Sequence, residues 1–319
     1  MAIPSFLGMG RRLRYIPPEG CLVEVTNRTI QGRFLLRPSA ELNMLVVGIL
    51  GRAQRLYDVE IHGYVVLSNH YHLLVTVKSA LQLARFMAYF QGNLAKEAGR
   101  LHTWRGPFWH RRYQHVLVSD EEAAQVNRLR YILGNGCKED LVSSPLEWPG
   151  VSSVEALLFG KEDRGVWIDR TGERRASGGT EVERQFRFRQ REIVVLSPLP
   201  CWEGMEPSFL RERVHELVAQ IETETDARHR AEGTQPLGVR RVLRQDPHER
   251  PVRSKWSPAP LFHCASKEAR SLLKEAYASF CVAFRLAARR WQRGDLSPGF
   301  PAGAFPPPLP FQHLSQAPG

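Results

Sequence analysis

Apolar and polar residues follow two kinds of pattern along the first part of the chain. Apolar residues alternate with polar ones over 22–26, and an apolar-rich run covers 59–67, so both are predicted as strands. Apolar residues recur at helical spacing over 39–56 and 80–98, which predicts two helices. Ser39 is of a residue type that caps a helix N-terminus, and it precedes the first of them.

A further predicted strand carries two histidines on one face. Residues 67–75 follow the second strand through a Ser68-Asn69 turn, which predicts a hairpin. Strand side chains alternate between faces. The face that is apolar enough for a core carries Tyr71, Leu73, Val75 and Val77. The other carries His70, His72, Leu74 and Thr76. Two imidazoles so spaced can reach one divalent cation, although a bare His-x-His is more often an ordinary strand with surface histidines.

The third predicted helix separates a tyrosine from its apolar stripe. Ser119 and Glu122 have the spacing of a capping box that opens the helix, and glycine at 134 is a stop signal. At about 100° per residue, the buried stripe consists of Val126, Leu129, Ile132 and Leu133. Tyr131 falls roughly opposite this stripe, and Asn135 lies one turn further on the same face. A tyrosine in a helix is most often a core residue, but this angle predicts that Tyr131 is not.

The order of these elements predicts the fold class. A fourth strand is predicted over 113–118, between the second and third helices. The order over 22–136 is then strand–helix–strand–strand–helix–strand–helix. It favours an α+β fold with a ferredoxin-like antiparallel sheet and helices on one side.

The rest of the chain is assigned to a linker and a second region. Residues 159–195 contain a polar, Gly- and Arg-rich stretch and are predicted to link a first domain, 1–158, to a basic, mainly helical region, 196–319. Helices are predicted over 208–227 and after Ser266, followed by a Pro-rich tail. The second of these helices is predicted to bury Leu272, Leu273, Ala276, Phe280, Ala283, Phe284 and Ala287. The region either adds nucleic-acid affinity or extends the scaffold.

Charge and cysteine usage narrow the class of partner and compartment. The 319 residues carry a net charge of +11, which attracts polyanions, and nucleic acid is the default partner of such a charge. The five cysteines form no Cys-x-x-Cys pair, so zinc-finger and thioredoxin patterns have no support and a reducing cytoplasm is expected. Neither a signal-peptide pattern nor a run of ~20 apolar residues is present, so no membrane partner is expected.

The loop after the second helix mixes aromatic and cationic residues. It contains Trp104, Arg105, Trp109, Arg111 and Arg112. This mixture suits single-stranded nucleic acid, because bases stack on aromatic rings and phosphates pair with Arg. A solvated loop with buried tryptophans is an equally good interpretation.

Four motifs resemble those of the single-tyrosine HUH transposases of bacterial insertion sequences, among which are the REP-associated tyrosine transposases. Residues 69–75 resemble the family's His-hydrophobe-His motif, and residues 130–135 resemble its Arg-Tyr-Ile/Val-x-x-Asn motif. Residues 107–118 resemble the segment before the tyrosine helix, and residues 147–153 resemble Asp-Trp-Pro-Trp-Ser-Ser. Order and spacing agree over about 15–155.

The sequence also departs from the family pattern. Ser68 stands where the family usually has proline, and Gly136 stands where proline usually follows the asparagine. Most family members end soon after the tryptophan motif, whereas this chain continues to residue 319. Neither substitution removes a group that the chemistry needs, but both fit a diverged or domesticated copy.

The resemblance implies metal-dependent cleavage and rejoining of DNA. His70 and His72 would hold Mg²⁺ or Mn²⁺, with Asn135 as third ligand. Tyr131 would attack the scissile phosphate, leaving a 5′-phosphotyrosine and a free 3′-OH, and the reverse attack would rejoin strands without ATP. Candidate phosphate contacts are Arg28, Arg105, Arg111, Arg112 and Arg128. Single-stranded or hairpin DNA is the implied partner and a homodimer the implied assembly, in which Tyr131 can serve its partner's histidines in trans.

Other functions fit the same residues. One is a domesticated protein that keeps the chemistry without transposing, and another is a catalytically silent DNA-binding protein of the same fold. A third is a metallohydrolase that uses a metal-bound water, for which Asp58, Asp120 and His115 are available as extra ligands. Removal of the Tyr131 hydroxyl would spare only that hydrolase.

Overall fold

The computed structural model describes residues 12–176, 180, 186–251 and 260–307. Its strands are β1 (Cys21–Arg28), β2 (Glu60–Val66), β3 (His70–Val77), β4 (Gln114–Val118), β5 (Asp163–Ile168), β6 (Arg189–Val194) and β7 (Phe262–His263). Its α-helices are α1 (Ala40–Tyr57), α2 (Ala80–Leu101), α3 (Glu122–Leu133), α4 (Asn135–Lys138), α5 (Val154–Phe159), α6 (Arg170–Arg175), α7 (Pro207–Glu232), α8 (Val239–Leu243) and α9 (Lys267–Gln292). Short 3-10 turns cover Ile30–Gly32, Pro145–Glu147 and Pro200–Trp202. The Pro-rich tail beyond residue 307 lies outside the described residues.

The central sheet has five strands in the order β2-β3-β1-β4-β7. Neighbouring strands are antiparallel except for β4 and β7, which are parallel. The register of β1 and β3 pairs Thr26 with His72 and Arg28 with His70. The histidine strand therefore lies inside the sheet, where pairing on both edges fixes the direction of its side chains.

One face of the sheet is buried beneath α1 and α2. Tyr71, Leu73, Val75 and Val77 belong to this core and are almost completely buried, as their alternation predicts. Helix α1 follows Ser39, whose hydroxyl accepts a hydrogen bond from the Leu42 N–H at 3.2 Å. The predicted cap and both predicted helices on this face are confirmed.

The other face carries the histidines and is covered by α3 and α7. Leu74 of β3 packs in one core with Leu129 and Ile132 of α3 and with Leu217 and Ile221 of α7. The α+β class with a helical C-terminal region is confirmed. Helices nevertheless lie on both faces of the sheet rather than one, because α3 turns its apolar stripe toward the sheet and α7 packs beside it.

The predicted capping box at the start of α3 is wrong. The helix begins at Glu122 after Glu121, and the side chain of Glu121 makes no cap. Ser119 instead donates its hydroxyl to the Glu121 carboxylate at 2.7 Å, so it is used before the helix starts. The predicted stop at Gly134 is found, but its φ of −82° is not left-handed and α4 starts directly after it. Val126, predicted to be buried, is only half-buried.

Residues 163–194, predicted to lie in a linker, contain a two-stranded antiparallel ribbon. Strands β5 and β6 pair from Asp163–Val194 to Ile168–Arg189 and pack against α1. The approach is close because α1 presents glycines there: a Cβ on Gly48 would lie 2.1 Å from the backbone of Val166. Part of the predicted linker therefore forms regular structure against α1, and the domain boundaries remain a prediction.

The long C-terminal helices follow their predicted positions, but one is less buried than its pattern indicates. Helix α7 buries the predicted stripe of Val214, Leu217, Val218 and Ile221. The Ser266 hydroxyl caps α9 by accepting from the Ala269 N–H at 3.1 Å. Of α9, only Phe280, Cys281 and Ala287 are buried, and Leu272 is 68% exposed. No helix among the described residues is both long and apolar enough to cross a membrane.

We expect Gly48→Ala to destabilise the protein, because the added methyl group would overlap the β5 backbone, which cannot move as a flexible side chain would. Overpacking of this kind costs about 1–3 kcal/mol. Urea denaturation followed by circular dichroism measures the change.

The matched control for this substitution is Gly92→Ala on α2. A Cβ there meets no atom within 4 Å, so the same substitution should be neutral or stabilise by about 1 kcal/mol. Equal midpoints for the two variants would show that the ribbon does not pack closely on α1 in solution.

Candidate active site

The two histidines and Asn135 come together on the outer face of β3. His70 and His72 are largely buried, and their ring centroids are 5.3 Å apart. Asn135, at the start of α4, is completely buried, and its Oδ1 lies 3.1 Å from His70 Nε2. The kinked α3–α4 junction thus brings the asparagine of one motif against the first histidine of the other.

The hydrogen bonds of the two rings occupy both Nδ1 atoms, so the Nε2 atoms are the candidate metal-ligating nitrogens. His70 Nδ1 lies 2.6 Å from Asn69 Oδ1, and the Asn69 amide nitrogen donates to the Gly32 carbonyl, which fixes the orientation of that amide. His72 Nδ1 lies 2.7 Å from Glu24 Oε1. An imidazole that donates through Nδ1 to an oxygen keeps its lone pair on Nε2, as in metal-ligating histidines.

The environment of His70 favours its neutral form. Burial, and after it the charges of His72 and Arg28, lower the pKa of His70 to about 3. The neutral ring has one proton, which Nδ1 uses toward Asn69, so Nε2 and Asn135 Oδ1 face each other as two acceptors. The buried Nδ2 of Asn135 has no hydrogen-bond partner among the described residues. If the Asn135 amide were flipped, its Nδ2 would donate to His70 Nε2, and its Oδ1 would be the atom left without a partner.

These atoms fit a divalent cation held by His70, His72 and Asn135. A cation accepts both facing lone pairs at once, and their separation of 3.1 Å matches the edge of about 3 Å that bonds of ~2.1 Å give in an octahedral site. Among the described residues, no group of three or more His, Cys, Asp or Glu is placed to hold a metal. Any metal here therefore depends on the amide oxygen and on ligands from outside the protein.

Tyr131 lies beside this site in the same chain. Its ring packs edge-on against His72, with centroids 5.4 Å apart. The Arg128 guanidinium stacks over the ring at 4.0 Å, and Lys138 donates to the hydroxyl at 2.9 Å. Tyr131 is half-buried and packs against the edge of the core that contains the α3 stripe, so it is not one of the fully buried residues of its helix. Two positively charged side chains therefore lie next to the phenol, one over its ring and one at its hydroxyl.

Pattern reasoning missed several residues that complete this cluster. Lys138 follows Tyr131 by seven positions, about two helical turns, so a shared face was detectable. Glu24 is the one acidic residue of the first predicted strand and offered a weaker signal. His263, which lies 2.7 Å from Glu24 Oε2, gave no local signal because its position depends on pairing between β4 and β7.

The predicted phosphate contacts differ in how accessible they are. Arg105, Arg111 and Arg112 are exposed, and half-buried Arg28 lies opposite His70 in the β1–β3 register. Arg128 is already engaged, because it pairs with Glu24 at 3.1 Å and stacks on the tyrosine.

The two tryptophans of the basic loop are both half-buried. Trp109 packs edge-on against Tyr71, with ring centroids 5.6 Å apart, and donates its ring N–H to the Gln91 carbonyl. These contacts favour a structural role for Trp109 over base stacking. Trp104 carries the Arg33 guanidinium over its ring at 5.3 Å.

Among the described residues, the three candidate extra ligands of a hydrolase are not grouped with the two histidines. Asp58 and Asp120 are exposed, and Asp58 pairs with Lys78 at 2.7 Å. His115 lies opposite Val25, which faces the α1 and α2 side, and its Nε2 contacts the Tyr15 carbonyl. The geometry therefore gives no support to the hydrolase alternative.

Comparison with known proteins adds a family match. The model of the family described as "Transposase IS200 like" matches residues 39–134. A solved structure of a REP-associated tyrosine transposase bound to a REP hairpin is 19% identical with a TM-score of 0.37, covering 46% of this chain and 82% of that chain. A transposase structure from Deinococcus radiodurans R1 is 18% identical with a TM-score of 0.26, covering 38% and 94%. No curated protein matches the chain.

We expect His70→Ala and His72→Ala each to weaken Mn²⁺ binding by more than about tenfold, since each removes a candidate ligand nitrogen. Asn135→Ala should weaken Mn²⁺ binding less, because water can take the place of a neutral amide oxygen. Isothermal titration of the protein without DNA measures the affinity.

The control for this titration is His110→Ala, which removes an exposed histidine of the basic loop. Its Mn²⁺ isotherm should match that of the wild type. If His70→Ala also left the isotherm unchanged, the metal would have to bind elsewhere.

Proposed function

Since residues 39–134 match the model of the IS200-like transposase family, we propose that this chain cleaves and rejoins single-stranded DNA through a covalent phosphotyrosine. The observation that carries the proposal is the contact between the ring of Tyr131 and the ring of His72. A candidate nucleophile and a candidate metal ligand, 59 positions apart in sequence, touch within one chain. The arrangement supports chemistry at a phosphate held between them.

In this mechanism Tyr131 Oη attacks the scissile phosphorus in line with the leaving oxygen. The bond to the 3′-oxygen breaks, which leaves a 5′-phosphotyrosine and a free 3′-OH, and the ester bond is conserved for rejoining. Mg²⁺ or Mn²⁺, when bound by His70, His72 and Asn135, supplies Lewis-acid polarisation of the phosphate. Lys138 holds the tyrosine hydroxyl at 2.9 Å and stabilises the phenolate as the proton leaves.

Single-stranded or hairpin DNA is the proposed partner, and the net charge of +11 supports it. Exposed Arg105, Arg111 and Arg112 are candidates for phosphate contacts. The C-terminal region adds further cations, since α8 contains Arg240 and Arg241. This helix lies next to the turn that precedes His70, because Gln245, just after α8, accepts a hydrogen bond from Ser68 at 2.6 Å.

A homodimer and a cytoplasmic location remain predictions from the resemblance and the composition. A dimer would not need to exchange its tyrosines, because Tyr131 already lies against His72 of its own chain. The site proposed here is therefore complete within one copy.

The test is a covalent adduct with end-labelled single-stranded DNA from the flanks of the gene, in Mn²⁺ or Mg²⁺. We expect a denaturation-resistant protein–DNA adduct in the wild type and none in Tyr131→Phe or His70→Ala. Each variant removes one of the two groups that the reaction requires, the nucleophile or a metal ligand.

Tyr57→Phe, on the opposite side of the sheet, is the matched control and should form the adduct normally. DNA binding without an adduct on several flank substrates would favour a silent binding protein. Cleavage that survives Tyr131→Phe would favour hydrolysis by water.

We expect Lys138→Met to slow adduct formation by about 10- to 100-fold with little change in DNA affinity. Loss of a buried oxyanion donor costs about 10²–10³ in rate, and Lys138 is exposed, so the effect should be smaller. Single-turnover kinetics at saturating Mn²⁺ and DNA measure the rate.

Two further lysine variants interpret that result. Lys138→Arg keeps the charge and should recover part of the rate, and Lys161→Met, which removes an exposed lysine paired with Glu155, should have no effect. If Lys138→Met reacted at the wild-type rate, the contact with the tyrosine hydroxyl would have no part in its activation.

A further inference from the structure

Glu24 is a buried carboxylate that contacts both His72 and Arg128. It lies on β1 and is 4% exposed. Oε1 accepts a hydrogen bond from His72 Nδ1 at 2.7 Å, and Oε2 accepts from His263 Nε2 at 2.7 Å and from Arg128 at 3.1 Å. Both oxygens are thus used, and each partner belongs to a different element of the fold.

Two of these partners contact the candidate reacting groups. His72 presents Nε2 to the candidate metal position because its Nδ1 is held by Glu24. Arg128 pairs with the same carboxylate and stacks on the Tyr131 ring at 4.0 Å. A shift of Glu24 would therefore move the ligand side and the nucleophile side together.

The third partner comes from the C-terminal region. Strand β7 adds to the edge of the catalytic sheet, with Val118 opposite His263. Phe262 points to the α1 and α2 side, where it is buried, so the alternation of the strand turns His263 to the face of the site.

The chain around His263 is anchored to the start of α3. The Ser119 N–H donates to the His263 carbonyl at 2.9 Å. The Glu121 carboxylate accepts from the N–H groups of Ala265 and Ser266 at 2.8 and 2.9 Å. The imidazole is consequently held in place by two elements that flank the site.

We propose that Glu24 and His263 are positioning residues of the transesterase, and that the C-terminal region thereby completes its active site. Glu24 orients the His72 ring and the Arg128 guanidinium, and His263 keeps Glu24 in the position that serves both. The inference rests on the proposed function, but its first consequence is a property of the protein without DNA. It concerns residues 262–263, which lie outside the matched segment 39–134.

The first experiment measures Mn²⁺ affinity without DNA, from the electron paramagnetic resonance signal of free Mn²⁺. Glu24→Gln keeps the size of the side chain but replaces one carboxylate oxygen with an amide NH₂ group, which cannot accept the hydrogen bond that this oxygen accepts. Loss of an outer-shell partner of a ligating histidine weakens metal binding by about 10- to 100-fold. We expect a weakening in this range, with His215→Ala, an exposed histidine of α7, as an unchanged control.

The second experiment follows adduct formation at saturating Mn²⁺ and DNA. His263→Ala should lower the maximal rate by about tenfold or more, because the ring and guanidinium that Glu24 orients lose their alignment. His263→Gln, whose amide N–H can replace Nε2–H as donor to Glu24, should recover most of the rate. A purely structural role for β7 would not distinguish these two variants, whose thermal unfolding is measured alongside.

The outcomes separate this inference from the proposed function. If the wild type binds Mn²⁺ and forms the adduct while Glu24→Gln and His263→Ala do both equally well, the positioning role is wrong and the function stands. If the wild type forms no adduct, yet Glu24→Gln still loses Mn²⁺ affinity, the function fails and the role of Glu24 in shaping the metal site survives. Equal losses in His263→Ala and His263→Gln would overturn the role of His263.

Discussion

The antiparallel pairing of β1 with β3 is the constraint on which the site depends. It places Thr26 opposite His72 and Arg28 opposite His70, so the polar face of β1 borders the polar face of β3. Because strand side chains alternate, every residue of these strands that faces the histidines is turned away from the core formed with α1 and α2. A slip of one residue would bury the imidazoles and expose Tyr71.

Buried polar groups in this site are costly unless each has a partner. Burial raises the pKa of Glu24, but hydrogen bonds from His263 and His72 and the charge of Arg128 outweigh it and hold that pKa well below its usual range. The carboxylate is therefore ionised and can orient both imidazoles. Asn135 Nδ2 is the atom of this cluster left without a partner among the described residues, whereas Oδ1 of the same amide faces His70 Nε2.

The C-terminal region packs around α3, the helix that carries Tyr131. Ile221 of α7 lies against Gly134, and Arg130, next to Tyr131, pairs with Glu224 of α7 at 2.9 Å. Strand β7 forms the edge of the sheet beside β4, and the segment after it donates two backbone N–H groups to Glu121 at the start of α3. The helix that carries Tyr131 is thus held between two parts of the chain that lie beyond the family match, which ties its position to the extension.

Sequence by itself determined the local elements and the candidate chemistry: strand alternation defined the face of His70 and His72, and helical spacing separated Tyr131 from the buried stripe of its helix. It failed where position depends on distant partners. The β5–β6 ribbon requires the close approach that Gly48 permits, β7 exists only through pairing with β4, and Leu272 has a buried pattern on an exposed surface. Tertiary structure alone decided these, because a residue's periodicity reports its own helix or strand, whereas contact between elements depends on how separate faces meet.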